Sequence, residues 1–212
     1  SSIVAYQQTR QEILVWTDAA LYSMQYLGPP YVWGVSLLME NISIASPNAA
    51  ITVNNITYWM GTDKFYAYSG RVETLPCTLR QFIFTNINTD QLAQVVCGTN
   101  EGYNEIWWFY PTADSLVNNR YVIYNHLERT WAYGNLERGF WLDSPLRQYP
   151  MAAFSYQKSY ISDAINSTVD ILPMVNAASY PNSGVVTIDA EKIYYTGKTS
   201  NSLTGCTRGY DG

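Results

Sequence analysis

The sequence predicts an all-β protein, on three observations. About half of its 212 residues (47%) are hydrophobic, only 14% are charged, and it contains 19 Tyr and 7 Trp, which is a profile typical of β proteins with broad neutral surfaces. The apolar residues form short runs of Trp, Tyr, Phe, Val and Ile, which rank low as helix formers and fit a pleated sheet. Turn-forming Pro, Asp, Asn and Gly separate these runs.

The clearest strand-like runs lie between residues 104 and 134. Three aromatic segments follow one another here: Glu105–Tyr110, Arg120–Asn125 and Thr130–Tyr133. The breaks between them are PTADSLVNN and HLER, and HLER has the length of a hairpin loop. We therefore expect a three-stranded antiparallel meander.

The same order of strand, turn and strand recurs along the chain. The paired runs are Glu12–Trp16 with Leu21–Tyr26, Ala50–Val53 with Ile56–Met60, and Met151–Tyr156 with Ser159–Ser162. In the second pair the link is Asn54-Asn55, and because Asn tolerates positive φ, this link predicts a tight hairpin.

The spacing of these pairs predicts blade-like repeats. Trp16, Trp59, Trp107 and Phe154 each lie in a strand that precedes a turn and a second aromatic strand, and they lie 43, 48 and 47 residues apart. Repeats of about 43–48 residues made of short strands are typical of β-propeller blades, and a non-repeating β-sandwich is the alternative. Since three to four blades are fewer than most closed propellers have, we expect either an incomplete ring with covered edges or a fragment of one.

The composition changes near residue 165, which predicts two domains: blades over 1–164 and a small β module over 165–212. In the module Val185–Ile188 is expected to pair with Lys192–Thr196, with Ser202–Thr207 as a third strand. Within the blades, 80–90 fits either a strand with a loop or a short helix, 91–98 a strand, and 136–150 a long loop.

Several function classes are disfavoured by composition. A net charge of −5 with no cluster of Lys and Arg argues against sequence-specific nucleic-acid binding. No apolar run approaches the roughly 18 residues of a membrane helix, so no membrane insertion is expected. The first ten residues lack the features of a signal peptide. Three cysteines without a CxxC pair and a single histidine argue against a disulfide framework and a zinc site.

No catalytic, cofactor-binding or metal-ligating residue is predicted, so the chain is not expected to be an enzyme. His126, the one histidine, is interpreted as an exposed or capping residue. Glycoside hydrolysis needs two carboxylates at a set separation, and the candidates are Glu101, Glu105, Asp143 and Asp163. Any chain with 17 acidic residues offers such pairs, so they do not predict a hydrolase. Motifs for a nucleophile elbow, a phosphate loop, a dinucleotide site and a calcium loop are absent from the sequence.

The adjacent pair Trp107-Trp108 is expected to point to opposite faces of one strand. One ring is then a core residue, and the other lies at a surface or an interface. Stacking on a sugar is the less favoured role for the second ring, because interface cores are enriched in aromatic residues.

Four stretches resemble a known family: ILVWTDAALYSMQYLGPP, NISIASPNAAITVNNITYWMGTDKFYAYSGRVETLPC, GTNEGYNEIWWFYP and RYVIYNHLERTWAYGNLERGFWLDSPLRQYPMAA. They are similar to tail proteins of short-tailed bacteriophages, of the tail-accessory or packaged-DNA stabilisation type, over roughly residues 10 to 155. The segment from Tyr180 onward resembles small β modules of phage tail and fibre proteins. Such modules usually continue further, so this resemblance implies that the module extends past Gly212.

The resemblance implies a structural virion protein of the tail hub or nozzle, based on a β-propeller. It implies self-assembly into a ring, with a hexamer as the expected size, below the portal and adaptor. Such a ring would retain packaged DNA until ejection and hold tail fibres or spikes. It would be assembled in the host cytoplasm and reside in the virion tail. The alternatives are a carbohydrate-binding propeller and, less favoured, a glycan hydrolase.

Overall fold

The protein is all-β and is built from several small antiparallel sheets. The computed structural model describes residues 2–144, 146–147, 149–153, 159–178 and 180–210. No closed barrel or propeller is seen among these residues. The chain divides into two compact units, Ser1–Ser155 and Tyr156–Gly212, whereas the boundary expected from composition lies after residue 164.

Sheet 1 is a four-stranded meander of β1 (Ile3–Gln8), β2 (Ile13–Thr17), β3 (Ala20–Tyr26) and β4 (Trp33–Glu40). The strands pair in chain order. The predicted hairpin corresponds to β2 and β3, while the strands on either side of it were not predicted.

Sheet 2 repeats this arrangement with β5 (Ala50–Val53), β6 (Ile56–Met60), β7 (Phe65–Tyr68) and β8 (Val72–Leu75). The predicted two-residue turn is confirmed, because Asn54 and Asn55 have φ of 50° and 64°. Two successive left-handed residues match the twist of the flanking strands.

Sheet 3 is the third meander, and it contains the three strands expected around residues 104–134. Its strands are β9 (Val96–Asn100), β10 (Glu105–Tyr110), β11 (Arg120–Asn125) and β12 (Thr130–Asn135). Before it lie the short helix α1 (Arg80–Phe84) and a 3-10 helix, Thr89–Gln94. The helical alternative for 80–90 is thus the correct one, and the strand expected over 91–98 begins only at Val96.

Sheet 4 is a two-stranded pair, β13 (Phe140–Leu142) and β14 (Met151–Ala153). The long loop expected over 136–150 is therefore wrong in part, because it contains β13. Phe154, the last of the four residues that define the repeat spacing, lies outside the described residues. The two residues that end its predicted strand and the turn that follows also lie outside them.

The four sheets of the first unit pack face to face in chain order through aromatic side chains. Trp16 of sheet 1 meets Trp59 of sheet 2 edge-on at 5.2 Å between ring centroids. Phe65 of sheet 2 lies 5.0 Å from Trp108 of sheet 3. These side chains are fully buried, and close edge-to-face or tilted ring pairs add to the stabilisation from burial.

Sheet 4 continues the series on the far side of sheet 3. Trp141 stacks on Trp107, with ring centroids 5.1 Å apart and planes inclined by 12°. Gly98 makes room for it, since a Cβ there would lie 2.2 Å from Trp141 Cδ1. The indole Nε1 of Trp141 also donates to the carbonyl of Thr99 at 2.8 Å.

The second unit has its own small core. Its strands are β15 (Ile171–Pro173), β16 (Gly184–Ile188), β17 (Glu191–Tyr195), β18 (Gly197–Lys198) and β19 (Ser202–Thr204). The predicted hairpin is β16 with β17. The expected third strand, β19, instead pairs with β15 and β18. Leu172, Ile193 and Leu203 are fully buried between these elements.

No helix of the described residues is long and apolar enough to cross a membrane.

Candidate interaction surfaces

The first candidate surface is the side of sheet 1 that faces away from sheet 2. Side chains alternate across a strand, so Leu14, Trp16 and Leu21 point into the core and are fully buried. The register places the residues between them in two cross-strand rows on the other side. We call this side the outer face of sheet 1, and its apolar members are Tyr6, Ile13, Val15, Tyr22, Met24, Tyr26, Trp33, Val35 and Leu37.

This outer face is apolar although nothing in the described part of the chain covers it. Tyr6 is 73% exposed, Val35 66% and Leu37 49%. Antiparallel sheets with one wet side normally alternate apolar and polar residues, and contiguous exposed apolar patches mark interaction sites. The composition of this face is therefore that of a buried sheet surface.

Glu12, which precedes the first residue of β2, turns away from the outer face. It accepts hydrogen bonds from the hydroxyl of Ser23, which lies on the core side, and from Gln25 Nε2 at 3.3 Å. The two cross-strand rows of the outer face contain no Asp, Glu, Lys or Arg.

The strand β4 adds an uncovered edge to this surface. It is the last strand of sheet 1, and no strand of the described residues pairs with its free side. Natural edge strands are commonly protected by Lys or Pro, but Trp33–Glu40 contains neither. Its backbone amides and carbonyls are therefore open to another strand.

The second candidate surface is the outer face of sheet 4, at the other end of the series. Phe140, Leu142 and Met151 point away from sheet 3 and are 54%, 42% and 40% exposed. Ala153, paired with Phe140, is exposed as well. Sheets 2 and 3 each have a neighbouring sheet on both sides, whereas sheets 1 and 4 have one on a single side within the described residues. The uncovered apolar faces therefore lie at the two ends of the series.

A cavity of about 710 Å³ lies beside the first strands of the four sheets. It is lined by residues of β1, by Asn48 and Ala50 at β5, by Val96 and Cys97 of β9, and by β13. None of the lining side chains carries a charge at neutral pH. Burial raises the pKa of the Cys97 thiol well above its usual value, so the thiol stays protonated.

The tryptophan pair is arranged as predicted. Trp108 faces sheet 2, is fully buried and donates from Nε1 to the Ala49 carbonyl at 2.9 Å. Trp107 faces the opposite way and is half-buried under Trp141. Its ring is used for packing between sheets within the chain, so it is not a free platform for a ligand.

Of the acidic residues considered in the sequence, Glu105 and Asp143 are used in hydrogen bonds within the chain. Glu105 accepts hydrogen bonds from Trp107 Nε1 and Asn100 Nδ2, and Asp143 caps the backbone amide of Glu101 at 2.7 Å. Asp163 belongs to the second unit. Among the described residues there is no group of three or more His, Cys, Asp and Glu that could hold a metal ion.

His126 is half-buried rather than exposed, and within the described residues no capping bond involves its side chain. Its ring lies 6.2 Å from that of Tyr58, and burial lowers the pKa of its imidazole. This contact could not be predicted from the sequence, because the two residues are on different sheets.

Comparison with protein-family models and with curated proteins finds no match to this chain.

Proposed function

We propose that this chain is a structural subunit of the tail of a short-tailed bacteriophage, and that its sheets 1–4 are propeller blades. The observation that carries the proposal is the series of three packed meanders and one two-stranded sheet, with an apolar face at each end that no described part of the chain covers. A protein that works by being built into a larger assembly needs such faces, whereas an isolated molecule gains nothing from them.

The blade arrangement is supported by which strands lie side by side. The first strands β1, β5 and β9 contact one another in order, and β13 contacts β9. All four also line the same cavity. In a propeller the first strand of every blade lies at the central channel, so this cavity corresponds to part of that channel.

The two end faces support assembly with other copies of the chain. Because the outer face of sheet 1 and the outer face of sheet 4 differ, a contact between them is head-to-tail, and such contacts form a closed ring when the rotation closes. We propose that sheet 4 of one copy covers sheet 1 of the next, and that the ring is a hexamer.

The role of the ring is mechanical. It lies below the portal and adaptor, helps to retain packaged DNA until ejection, and anchors tail fibres or spikes. A chain with 14% charged residues and a net charge of −5 suits a wall past which DNA moves without being bound. The ring is assembled in the host cytoplasm and resides in the virion tail.

The test combines the mass of the purified chain in solution, measured by light scattering, with electron microscopy of particles labelled on this chain. The proposal predicts a ring in solution and density beneath the portal. A monomer at all concentrations that is also missing from particles would overturn it.

A further inference from the structure

A second cleft, of about 390 Å³, lies where sheet 2 meets sheet 3. Its walls are formed by Tyr58 and Glu73 of sheet 2 and by Tyr124, His126 and Arg129 of sheet 3, with Pro76 at one side. Its volume is in the range of small-molecule sites. None of its lining residues belongs to either outer face.

One wall of the cleft is aromatic and supplies neutral hydrogen-bonding groups. The ring of Tyr58 lies 6.0 Å from that of Tyr124 and 6.2 Å from that of His126. Burial raises the pKa of both phenols and lowers the pKa of the imidazole. All three groups are therefore uncharged at neutral pH and can donate to a ligand.

The two phenol hydroxyls have no partner within the described residues, and neither is sealed from solvent as the Tyr110 hydroxyl is. Because the rings are buried but the oxygens reach the cleft, the hydroxyl groups are positioned for a ligand at little cost in side-chain entropy.

Arg129 supplies the positive charge of the cleft. Its backbone is left-handed, with φ of 58°, and its amide donates to the Asn125 carbonyl at 2.8 Å. The guanidinium offsets part of the rise that burial causes in the pKa of Tyr58 and of Tyr124, so its charge acts on both phenols. Among the described residues it has no carboxylate partner, whereas Glu73 is paired with Arg71.

These groups select for one kind of ligand. One unpaired guanidinium fits a single carboxylate, while the nearby carboxylate of Glu73 repels a doubly charged phosphate. Phenol, imidazole and carboxylate groups suit a ring with several hydroxyls, and Pro76 offers an apolar surface for its C–H face.

The geometry points to a binding site for an acidic monosaccharide, with the sugar carboxylate on Arg129 and its hydroxyls on Tyr58, Tyr124 and Glu73.

The experiment measures binding to the whole chain by saturation-transfer NMR and calorimetry. The probes are galacturonate, N-acetylneuraminate and, as an uncharged match, the methyl ester of galacturonate. For a ligand of this size a Kd of about 1 mM is expected for the acid, with at least about tenfold weaker binding of the ester.

The decisive variant is Arg129→Asn, since Asn tolerates the left-handed conformation and keeps the turn. It should lower the affinity for galacturonate at least about tenfold and leave the affinity for the ester unchanged. Tyr58→Phe should weaken both ligands severalfold, and Arg147→Gln, an exposed arginine away from the cleft, should weaken neither. Folding of each variant is checked by its circular dichroism.

Equal affinity for the acid and the ester would overturn the inference, as would unchanged binding of galacturonate by Arg129→Asn. Absence of saturation transfer from every probe at millimolar concentration would overturn it too.

Discussion

Replacing Val35 and Leu37 with lysine tests whether the outer face of sheet 1 is a contact surface. Both side chains lie in β4 on the uncovered side, and they are 66% and 49% exposed. Because folding of the single chain leaves them in water, the double variant Val35→Lys/Leu37→Lys should change the free energy of unfolding by no more than about 1 kcal/mol.

The effect on assembly should be much larger. Fully burying a Val or Leu side chain contributes about 1.5–3 kcal/mol, so covering the exposed two thirds of Val35 and half of Leu37 contributes about 2–3 kcal/mol for each contact. At about 1.4 kcal/mol for a factor of ten, each contact should weaken roughly 30- to 150-fold. Desolvating two ammonium groups would weaken it further.

Light scattering over a range of concentrations gives the readout, with the mass expected to fall towards the 24.1 kDa of one chain. The matched control is Leu116→Lys/Leu127→Lys, which places the same charges at two exposed leucines in the loops that join β10 to β11 and β11 to β12, outside both outer faces. If the β4 variant and the control show the same mass distribution as the unmodified chain, the outer face is not the contact surface.

Three further predictions concern the fold. Trp59→Ala, which empties a fully buried position, should destabilise the first unit by about 3–5 kcal/mol in denaturant melts. Gly98→Ala should cost about 1–3 kcal/mol in the same melts, because the new Cβ displaces the ring of Trp141, with a loss of near-ultraviolet circular dichroism. The pKa of Glu191 lies below its usual 4.5 because Arg208 donates hydrogen bonds to its carboxylate. The ion pair therefore stabilises the second unit above pH 4.5, and this stabilisation is lost as the pH falls through the lowered pKa of Glu191. Glu191→Gln should flatten the pH dependence of hydrogen exchange in β16 and β17.

Each of these has a control and an outcome that contradicts it. Trp33→Ala, at an exposed tryptophan, should cost far less than the core replacement, and equal costs would contradict the packing described. Gly102→Ala meets no neighbouring atom, so it should leave the near-ultraviolet signal intact. If hydrogen exchange in the second unit responds to acid identically with and without the carboxylate of Glu191, the ion pair is not the cause.

The repeated meanders could be predicted because local chemistry determines them. Asn54-Asn55 requires no tertiary contact to form its turn, and the aromatic runs that contain Trp16, Trp59 and Trp107 are strands in any sheet context. Sheet 4 was harder to predict, because β13 has only three residues, Phe140–Leu142, within a segment that also holds two Pro and four charged residues. Its strand character comes from Trp141 packing on sheet 3, a contact that the sequence does not reveal.

The candidate surfaces depend on register, and this is why sequence reasoning missed them. The alternation of Val35 and Leu37 in β4 becomes informative only when Tyr22 and Met24 of β3 are known to lie beside them. The cleft depends on contacts across sheets in the same way, since Tyr58 and Tyr124 are far apart in the chain. Composition could indicate abundant aromatic residues, but not which of them remain uncovered.

The distribution of covered and uncovered faces favours an assembled role over a solitary one. Inside the first unit large aromatic side chains contribute to every junction between sheets, and the ends present apolar side chains that no described part of the chain covers. A junction between copies would thus extend the packing that already holds the unit together. Because these faces carry little charge, such a junction should tolerate high ionic strength, since salt screens charges and does not weaken apolar burial. The proposed tail ring, through which densely charged DNA passes with its counterions, would need contacts of that kind.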